Sequence, residues 1–281
     1  MTSRRIAYQG EPGANSHIVA NRHYPDWDTL PCASFEDVFA AVESGEAELA
    51  MIPIDNSIAG RVADIHHFLP TSGLHIIAEH FLRIQFSLMA MPGVTIDQIK
   101  TVHSHVHALG QCRKIIREHG LTPVISGDTA GAAREIAAAG DPTQAAISPP
   151  MAAEIYGLDV LAHDIEDEDH NTTRFVVLSP RTGACTGWQR PDGHDVRVQR
   201  PQPAGRPLQG SGRLRHQRRQ HDQAQSYMVD GEFTATQFLA EVDGHPDDLP
   251  LARALERLTF FTTDITVMGV YPADPFRAAS R

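Results

Sequence analysis

Asn171-Thr172-Thr173-Arg174-Phe175-Val176-Val177-Leu178 joins a polar loop directly to an apolar run. An amide, two hydroxyls and a guanidinium stand side by side, and the apolar residues from Phe175 onward are typical of a buried strand. Polar donors at the mouth of such a strand can hold a carboxylate and pass a proton to a leaving group without a cofactor. Alone, the same residues also fit a threonine-rich turn with a surface arginine, so the other strand ends decide between the two interpretations.

Residues 4–180 alternate short β-like runs with helical runs, which is the pattern of an open α/β sheet. The predicted strands are 5–8, 49–54, 80–91, 100–103, 123–126, 145–148 and 158–163. The predicted helices are one that ends at His23, then 35–44, 58–69, 107–119, 130–139 and 149–156. Ser, Thr, Asn or Asp repeatedly stands where a strand passes into a helix. Such residues cap helices, but open α/β sheets also bind ligands at the carboxyl ends of their strands, and the two interpretations do not exclude each other.

Composition narrows the class of protein. A chain of 281 residues with 41% hydrophobic content can bury more than one core. The net charge of −11 argues against nucleic acid as a general partner, since phosphate binding requires clustered Lys and Arg. Three cysteines at no metal-like spacing suggest reduced thiols. The N-terminus lacks the apolar core of a signal peptide, and no run is long and apolar enough to span a membrane. We therefore expect a cytoplasmic protein.

Motifs spread over residues 1–180 occur in a characteristic order. They are Ile6-Ala7-Tyr8-Gln9-Gly10-Glu11-Pro12-Gly13-Ala14, Ile52-Pro53-Ile54-Asp55-Asn56-Ser57 with Gly60 and Val62, His103-Ser104-His105 with Ala108, Leu109, Gln111 and Cys112, Asp128-Thr129-Ala130 with Ala132-Ala133, Ala152-Ala153 with Tyr156-Gly157-Leu158, and Thr173-Arg174-Phe175. With these motifs the segment resembles the catalytic domain of prephenate dehydratase. One such motif is weak evidence, whereas six in order are specific. Asp55 departs from the family pattern, which usually has Glu there, and its shorter side chain leaves its role open.

The resemblance implies an α/β catalytic domain over residues 1–180, built of two lobes like a periplasmic binding protein, with the second lobe at about 80–160. A small α+β ACT domain, ferredoxin-like in fold, is expected to follow. The implied activity is that of a carbon–oxygen lyase (hydro-lyase) in L-phenylalanine biosynthesis. Prephenate would lose carbon dioxide and its ring hydroxyl as the ring becomes aromatic, giving phenylpyruvate. The resemblance further implies no cofactor and no metal, feedback regulation by L-phenylalanine, and a homodimer or homotetramer.

The resemblance also assigns site residues. Thr173 is the candidate catalytic proton donor, acting within a hydrogen-bonded relay that stabilises its oxygen. Arg174 is a carboxylate partner or a structural partner, because a guanidinium can pair bidentately. The implied substrate-binding residues are Asp55, Asn56, Ser57, Ser104, Gln111, Thr129, Arg174 and Phe175. Gln111 follows Ser104 by about two helical turns, so both side chains can share one face of a helix.

Other functions fit parts of the sequence. His103, His105 and His107 alternate and, with His66-His67, could suggest a metal site, although no Cys or carboxylate is suitably spaced. Cys112 could be a nucleophile, but it lies inside a predicted helix, where a free cysteine is usually a small core residue. Arogenate is an alternative substrate. A non-catalytic module that binds a small acid is the alternative from another class, since transport receptors share the two-lobed fold.

Residues 184–225 differ in composition from the rest of the chain. From Cys185 to Gln225 the net charge is +5, with many Arg, Gln, Pro and Gly and little apolar periodicity. Such a composition predicts disorder, and the segment could also be taken for a basic tail that binds nucleic acid. Strand and helix patterns resume at 232–242, 249–261 and 265–271. We therefore expect an aberrant segment at 181–225 in place of the front half of an ACT domain, and the remaining ACT domain at 226–275.

A frameshift explains this segment. Synonymous codons exist for Gly193–Gln225 that, when shifted by one nucleotide, read as an ordinary ACT front half. The original frame would resume near Ser226. The segments expected to contact phenylalanine fall within this region, and Gln225 with Ser226 is an altered remnant of one of them. We therefore expect impaired feedback inhibition and impaired ACT-mediated dimerisation, with residues 1–180 intact.

Overall fold

The computed structural model describes residues 4–62, 65–181, 194–202, 221–229, 232–262 and 265–279, and at 66–67, 194–202, 221–229, 232–239 and 279 it describes the backbone alone. The strands are β1 Arg5–Gln9, β2 Asp28–Cys32, β3 Leu49–Asn56, β4 Gly60–Arg61, β5 His75–Arg83, β6 Ser87–Ala90, β7 Thr101–Ser104, β8 Thr122–Ile125, β9 Gln144–Ser148, β10 Asp159–Ala162, β11 Thr172–Ser179, β12 His194–Gln202, β13 His221–Val229, β14 Glu232–Asp243 and β15 Thr266–Pro272. The helices are α1 Asn15–His23, α2 Phe35–Glu43, α3 Ile65–Phe68, α4 Val106–Gln111, α5 Arg113–Glu118, α6 Thr129–Ala139, α7 Pro150–Tyr156, α8 Leu249–Thr259 and α9 Pro275–Ala279. Among the residues described, no helix combines the length and apolar character that a membrane crossing requires.

The chain divides into two compact units, one of residues 1–68 and 80–176 and the other of residues 69–79 and 177–281. The first unit contains two sheets. One has the order β11-β3-β1-β2, with β1 parallel to both its neighbours and β4 antiparallel to β3. Residues 75–79 of β5 belong to the second unit and the rest of β5 to the first. The other has the order β10-β6-β9-β7-β8, with parallel pairs around β7 and antiparallel pairs around β6. The predicted α/β fold is confirmed, and it contains two sheets.

Local sequence explains how these elements begin and end. Ser34 and Asp37 form a reciprocal capping box at the start of α2, with Ser34 Oγ accepting from the Asp37 amide at 3.1 Å. Asp128 caps α6 by accepting from the Gly131 amide, and α6 ends at Gly140 in the left-handed conformation. The run Leu49–Ile54 is almost entirely buried, as expected for a strand inside a sheet with helices packed on it.

Three predictions of secondary structure are wrong. The predicted helix 58–69 is instead a turn, the short strand β4 and the short helix α3, because Asn56 Oδ1 accepts from the amides of Ile58 and Ala59 and closes a hairpin. The predicted strand 80–91 is interrupted between β5 and β6, where the Ile84 amide donates to the Asn171 carbonyl. The predicted helix 107–119 breaks between α4 and α5, since the Asp167 carboxylate accepts the two amides that open α5.

The second unit contains an antiparallel sheet with the order β13-β14-β12-β15, and α8 lies between β14 and β15 in the chain. The strand β12 and the first five residues of β13 fall within residues 184–225, so the prediction of disorder is wrong for them. Sheet ladders consist of main-chain hydrogen bonds, which a polar composition does not prevent. Residues 182–193 and 203–220 lie outside the described residues. At Gly269 the backbone of β15 meets β5 so closely that a Cβ would collide with the Ile76 carbonyl.

Candidate active site

A cavity of about 560 Å³ lies in the first unit. Its walls are formed by residues at or beside the ends of strands from both sheets and by the N-terminal residues of the helices that follow them. The lining residues are Gln9, Gly10, Ala14, Asn15, Ser16, Phe35, Pro53, Asn56, Ala59, Gly60, Arg61, Val62, Ile84, Phe86, His105, His107, Ala108, Gln111, Gly127, Asp128, Thr129, Asn171, Thr173 and Phe175. Aromatic and aliphatic side chains thus alternate with amides, hydroxyls and a guanidinium, which suits a small ring compound that carries acidic groups.

Four side chains form one hydrogen-bonded chain along this wall. Asn56 Nδ2 donates to Thr173 Oγ1 at 2.8 Å and to Asn171 Oδ1 at 2.8 Å. Asn171 Nδ2 in turn donates to Gln111 Oε1 at 2.7 Å. Because the Thr173 oxygen accepts from Asn56, its own O–H proton remains to be donated elsewhere. The network therefore presents a hydroxyl donor to the cavity and supplies an amide that stabilises its oxygen.

The ends of β3 and β11 are held together beside this network. The Ser57 amide donates to the Thr172 carbonyl at 2.8 Å, and the Thr172 amide donates back to Ser57 Oγ at 2.9 Å. Ser57 Oγ also donates to the His170 carbonyl at 2.9 Å. Ser57 thus fixes the backbone that carries Thr173 and is not among the lining residues.

Five of the residues predicted for the site line the cavity. They are Asn56, Gln111, Thr129, Thr173 and Phe175. Arg174 is 4% exposed and forms an ion pair with Asp55 at 3.6 Å, and neither residue is among those that line the cavity. Ser104 is completely buried, and its Oγ donates to the Ile147 carbonyl at 2.5 Å.

Gln225 and Ser226, predicted as regulatory, lie on β13 of the second unit, where β14 runs antiparallel to them. Their side chains are outside the described residues, as are those of His66 and His67. The predicted regulatory role therefore stays a prediction.

Several lining residues were not predicted from the sequence, among them Gln9, Asn15, Arg61 and His107. The Gly-Glu-Pro-Gly turn after β1 was a usable signal for the first two. Gly13 there has a φ of +95°, and a Cβ on it would lie 2.9 Å from the Ala152 Cα. Arg61 was hidden by the wrong prediction of a helix at 58–69.

The pKa shifts and the grouping of side chains test two other candidates, the Cys112 nucleophile and the histidine metal site. Burial raises the pKa of the Cys112 thiol far above its ordinary value, and Asp167 and Glu166 add to this effect, so Cys112 is poorly suited to act as a nucleophile. Burial and the neighbouring His107 lower the pKa of His105, although Asp128 opposes them. Among the side chains that the structure describes, no three His, Cys, Asp or Glu residues are grouped so that they could hold a metal ion.

Comparisons with known proteins identify the family of the chain. Residues 6–182 match the family model of prephenate dehydratase. A bifunctional N-acyl-homoserine lactone acylase/prephenate dehydratase from Komagataeibacter europaeus is 44% identical over 280 residues, which is 98% of either chain. The structure of prephenate dehydratase from Arthrobacter aurescens in complex with L-Phe is 29% identical, with a TM-score of 0.85 over 98% of this chain and 96% of that chain. Arogenate dehydratase/prephenate dehydratase 1 of Arabidopsis thaliana is 39% identical over 63% of this chain, which spans 47% of the plant protein.

The family match, the relatives and the fold define the class of protein as a carbon–oxygen lyase of the hydro-lyase class. The chain belongs to the prephenate dehydratase family, as the sequence motifs predicted. It is an enzyme of aromatic amino-acid biosynthesis.

Proposed function

We propose that this chain converts prephenate to phenylpyruvate within the cavity, with Thr173 as the proton donor. The observation that carries the proposal is the 2.8 Å hydrogen bond from Asn56 Nδ2 to Thr173 Oγ1 at the cavity wall. The reaction breaks the bond from the ring to its carboxylate, and the freed electron pair aromatises the ring and expels the hydroxyl group. One proton must reach that hydroxyl as it leaves as water. A neutral threonine can supply this proton if its oxygen is stabilised as the proton departs.

The Asn56 amide supplies that stabilisation in our proposal. Two further hydrogen bonds fix the orientation of the Asn56 side chain: Asn56 donates to Asn171, and Asn171 donates to Gln111. Preorganised neutral donors of this kind need no rearrangement at the moment of proton transfer. The apolar side chains of Phe86 and Phe175, with Pro53, would hold the ring, and Thr129 at the start of α6 would contact the substrate's polar groups.

The test is phenylpyruvate formation from prephenate by the purified chain. We expect carbon dioxide and phenylpyruvate in equal amounts, without added metal or cofactor. If the chain converts arogenate but not prephenate, the substrate is arogenate and the proposed substrate is wrong. Binding of prephenate without turnover of either acid would favour the non-catalytic binding module.

A second candidate activity follows from the full-length similarity to the Komagataeibacter europaeus protein, whose name includes an N-acyl-homoserine lactone acylase. We propose hydrolysis of the amide bond of N-acyl-homoserine lactones as this second activity, to be assayed with the same preparation. Release of free homoserine lactone, measured with and without prephenate as competitor, would support this activity and would report whether both reactions use the cavity.

We further propose that residues 226–275 form the remaining part of an ACT regulatory domain, after the aberrant segment 181–225, and that the chain is a homodimer or homotetramer in the cytoplasm with its catalytic domain at 1–180. The βαβ arrangement of β14, α8 and β15 in an antiparallel sheet supports the domain, and the relative bound to L-Phe supports the ligand. If 184–225 is frameshifted, phenylalanine should inhibit this chain weakly. Normal inhibition in a phenylalanine titration would contradict that expectation. Resequencing of the DNA and sedimentation of the purified chain test the frameshift and the assembly.

A further inference from the structure

The cavity needs positive charge to hold a substrate with two carboxylates. Its described lining residues include one arginine, Arg61, and one carboxylate, Asp128. The Asp128 carboxylate already accepts from the Gly131 amide at 2.6 Å as the cap of α6. The other basic side chains among the lining residues are the imidazoles of His105 and His107. Among the lining residues described, Arg61 is the one with a permanent positive charge.

Arg174, the other arginine considered for this role, is in a different environment. Its side chain is 5% exposed and lies 3.6 Å from the Asp55 carboxylate, and Arg174 is not among the lining residues. If a buried arginine moves away from its carboxylate partner, both charges lose the attraction that offsets the cost of removing them from water. Arg174 thus fits the structural role that the sequence left open for it, and the substrate carboxylate needs another partner.

Arg61 is held at the cavity by a short, well-fixed hairpin. Arg61 pairs with Asp55 in the β3–β4 register, and the following Val62 amide donates to the Ile54 carbonyl at 3.0 Å. The turn before it is closed by Asn56 Oδ1, which accepts from the Ala59 amide at 2.7 Å. Since Asn56 also donates to Thr173, one side chain fixes the turn that carries Arg61 and the hydroxyl that would protonate the leaving group.

The chemical difference between the two possible substrates would allow Arg61 to distinguish prephenate from arogenate. Prephenate and arogenate share the ring, its carboxylate and its hydroxyl, and they differ where a keto oxygen is replaced by an ammonium group. A guanidinium can donate to a carboxylate and to an adjacent keto oxygen together. An ammonium group offers no acceptor and adds a like charge beside the guanidinium.

We propose that Arg61 binds a carboxylate of the substrate's three-carbon side chain and makes the site favour the keto acid prephenate over the amino acid arogenate. This inference rests on the proposed dehydratase function and names its specificity residue. Arg61 acts in binding and takes no part in proton transfer.

The experiment compares Arg61→Gln, Arg61→Lys and the wild type with both acids as substrates. Arg61→Gln should raise KM for prephenate by about 10-fold or more with little change in kcat, and it should affect arogenate less. The ratio of kcat/KM for the two acids should shift toward arogenate by about 10-fold. Arg61→Lys, which keeps the charge without the fork, should fall between the two. The matched control is Arg22→Gln, an exposed arginine in the last turn of α1 that does not line the cavity.

Calorimetry separates this inference from the proposed reaction. Prephenate is titrated into chains carrying Thr173→Val with and without Arg61→Gln, so that binding is measured without turnover. Loss of affinity in the double variant, with unchanged thermal unfolding, supports the binding role. An unchanged affinity, or an unchanged preference between the two acids, would overturn it. A wild-type chain that binds prephenate through Arg61 but converts neither acid would refute only the dehydratase reaction.

Discussion

The two units of this molecule each bury a polar network, and the networks differ in charge. In the first unit, Asn56, Asn171, Gln111 and Thr173 are joined by neutral hydrogen bonds at a cavity wall. In the second, Arg277 donates to Glu79 Oε1 at 2.6 Å and Oε2 at 2.8 Å, and to Glu241 Oε2 at 3.0 Å.

The comparison shows what each kind of network can do. The neutral network can give up a proton and take it back, because no group in it depends on a fixed counter-charge. The ionic network holds two nearly inaccessible carboxylates around one guanidinium, so any loss of a partner leaves a buried charge. It joins residue 79 to the end of the chain and can only stabilise that arrangement. We therefore expect catalysis to depend on the neutral network and the stability of the second unit to depend on the ionic network.

Thr173→Val should have the largest effect. Valine keeps the shape of threonine and removes the proton, so kcat for prephenate should fall by roughly 10³- to 10⁴-fold, or about 4 to 5 kcal/mol. The urea unfolding curve should move little, because the neutral network loses one hydrogen bond. Thr173→Ser is the matched control and should keep most of the activity. A valine variant that retains more than about a tenth of wild-type kcat would remove Thr173 from the proton transfer.

Arg277→Met should act on the second network alone. The change leaves Glu79 and Glu241 buried without their guanidinium, so the free energy of unfolding should fall by about 3 to 5 kcal/mol. Urea denaturation measures this loss, and Arg257→Met on the exposed side of α8 provides the control. Equal stability of the two variants would mean that the ionic network does not hold the unit together.

Much of the fold was predictable because the relevant signals are local. The apolar run Leu49–Ile54 and the Asp128 cap of α6 each predict an element that the structure contains. In two of the three places where prediction failed, a distant partner decides the backbone. Asp167 caps α5 across more than fifty residues of sequence, and no local pattern reveals that bond.

The candidate site follows the same rule. The motifs indicated Thr173 and Asn56, but nothing local shows that Asn171 links Asn56 to Gln111. The Arg174–Asp55 pair was equally hidden, because either residue alone reads as a candidate ligand for the substrate. Only the pairing of β3 with β4 brings Arg61 to the cavity.

A pair of stacked histidines in the first unit extends the comparison to a group whose charged form is disfavoured. The rings of His23 and His80 stack with their centroids 3.7 Å apart, and burial, followed by His23, lowers the pKa of His80 from 6.5 to about 4. Between these two pH values the unfolded chain binds a proton that folded His80 does not. The free energy of unfolding should therefore fall as the pH is lowered through this window, by about 3 kcal/mol in total.

Urea denaturation at pH 7 and at pH 4.5 measures this loss. His80→Phe keeps a ring against His23 and removes the titrating group, so its stability should depend less on pH than that of the wild type. The same pH dependence in both proteins would assign the effect to other residues.

Ser104→Ala should have the smallest effect, and it compares two hydroxyls of the first unit. Ser104 is fully buried and donates to the Ile147 carbonyl, whereas the Thr173 hydroxyl lies at the cavity wall. Removal of Ser104 Oγ should lower the free energy of unfolding by about 1 kcal/mol and leave KM for prephenate within about twofold. Steady-state kinetics and urea denaturation of the same preparation measure both quantities. A large rise in KM with unchanged stability would return Ser104 to the substrate-binding role that the sequence motif suggested, and it would place both hydroxyls in one network.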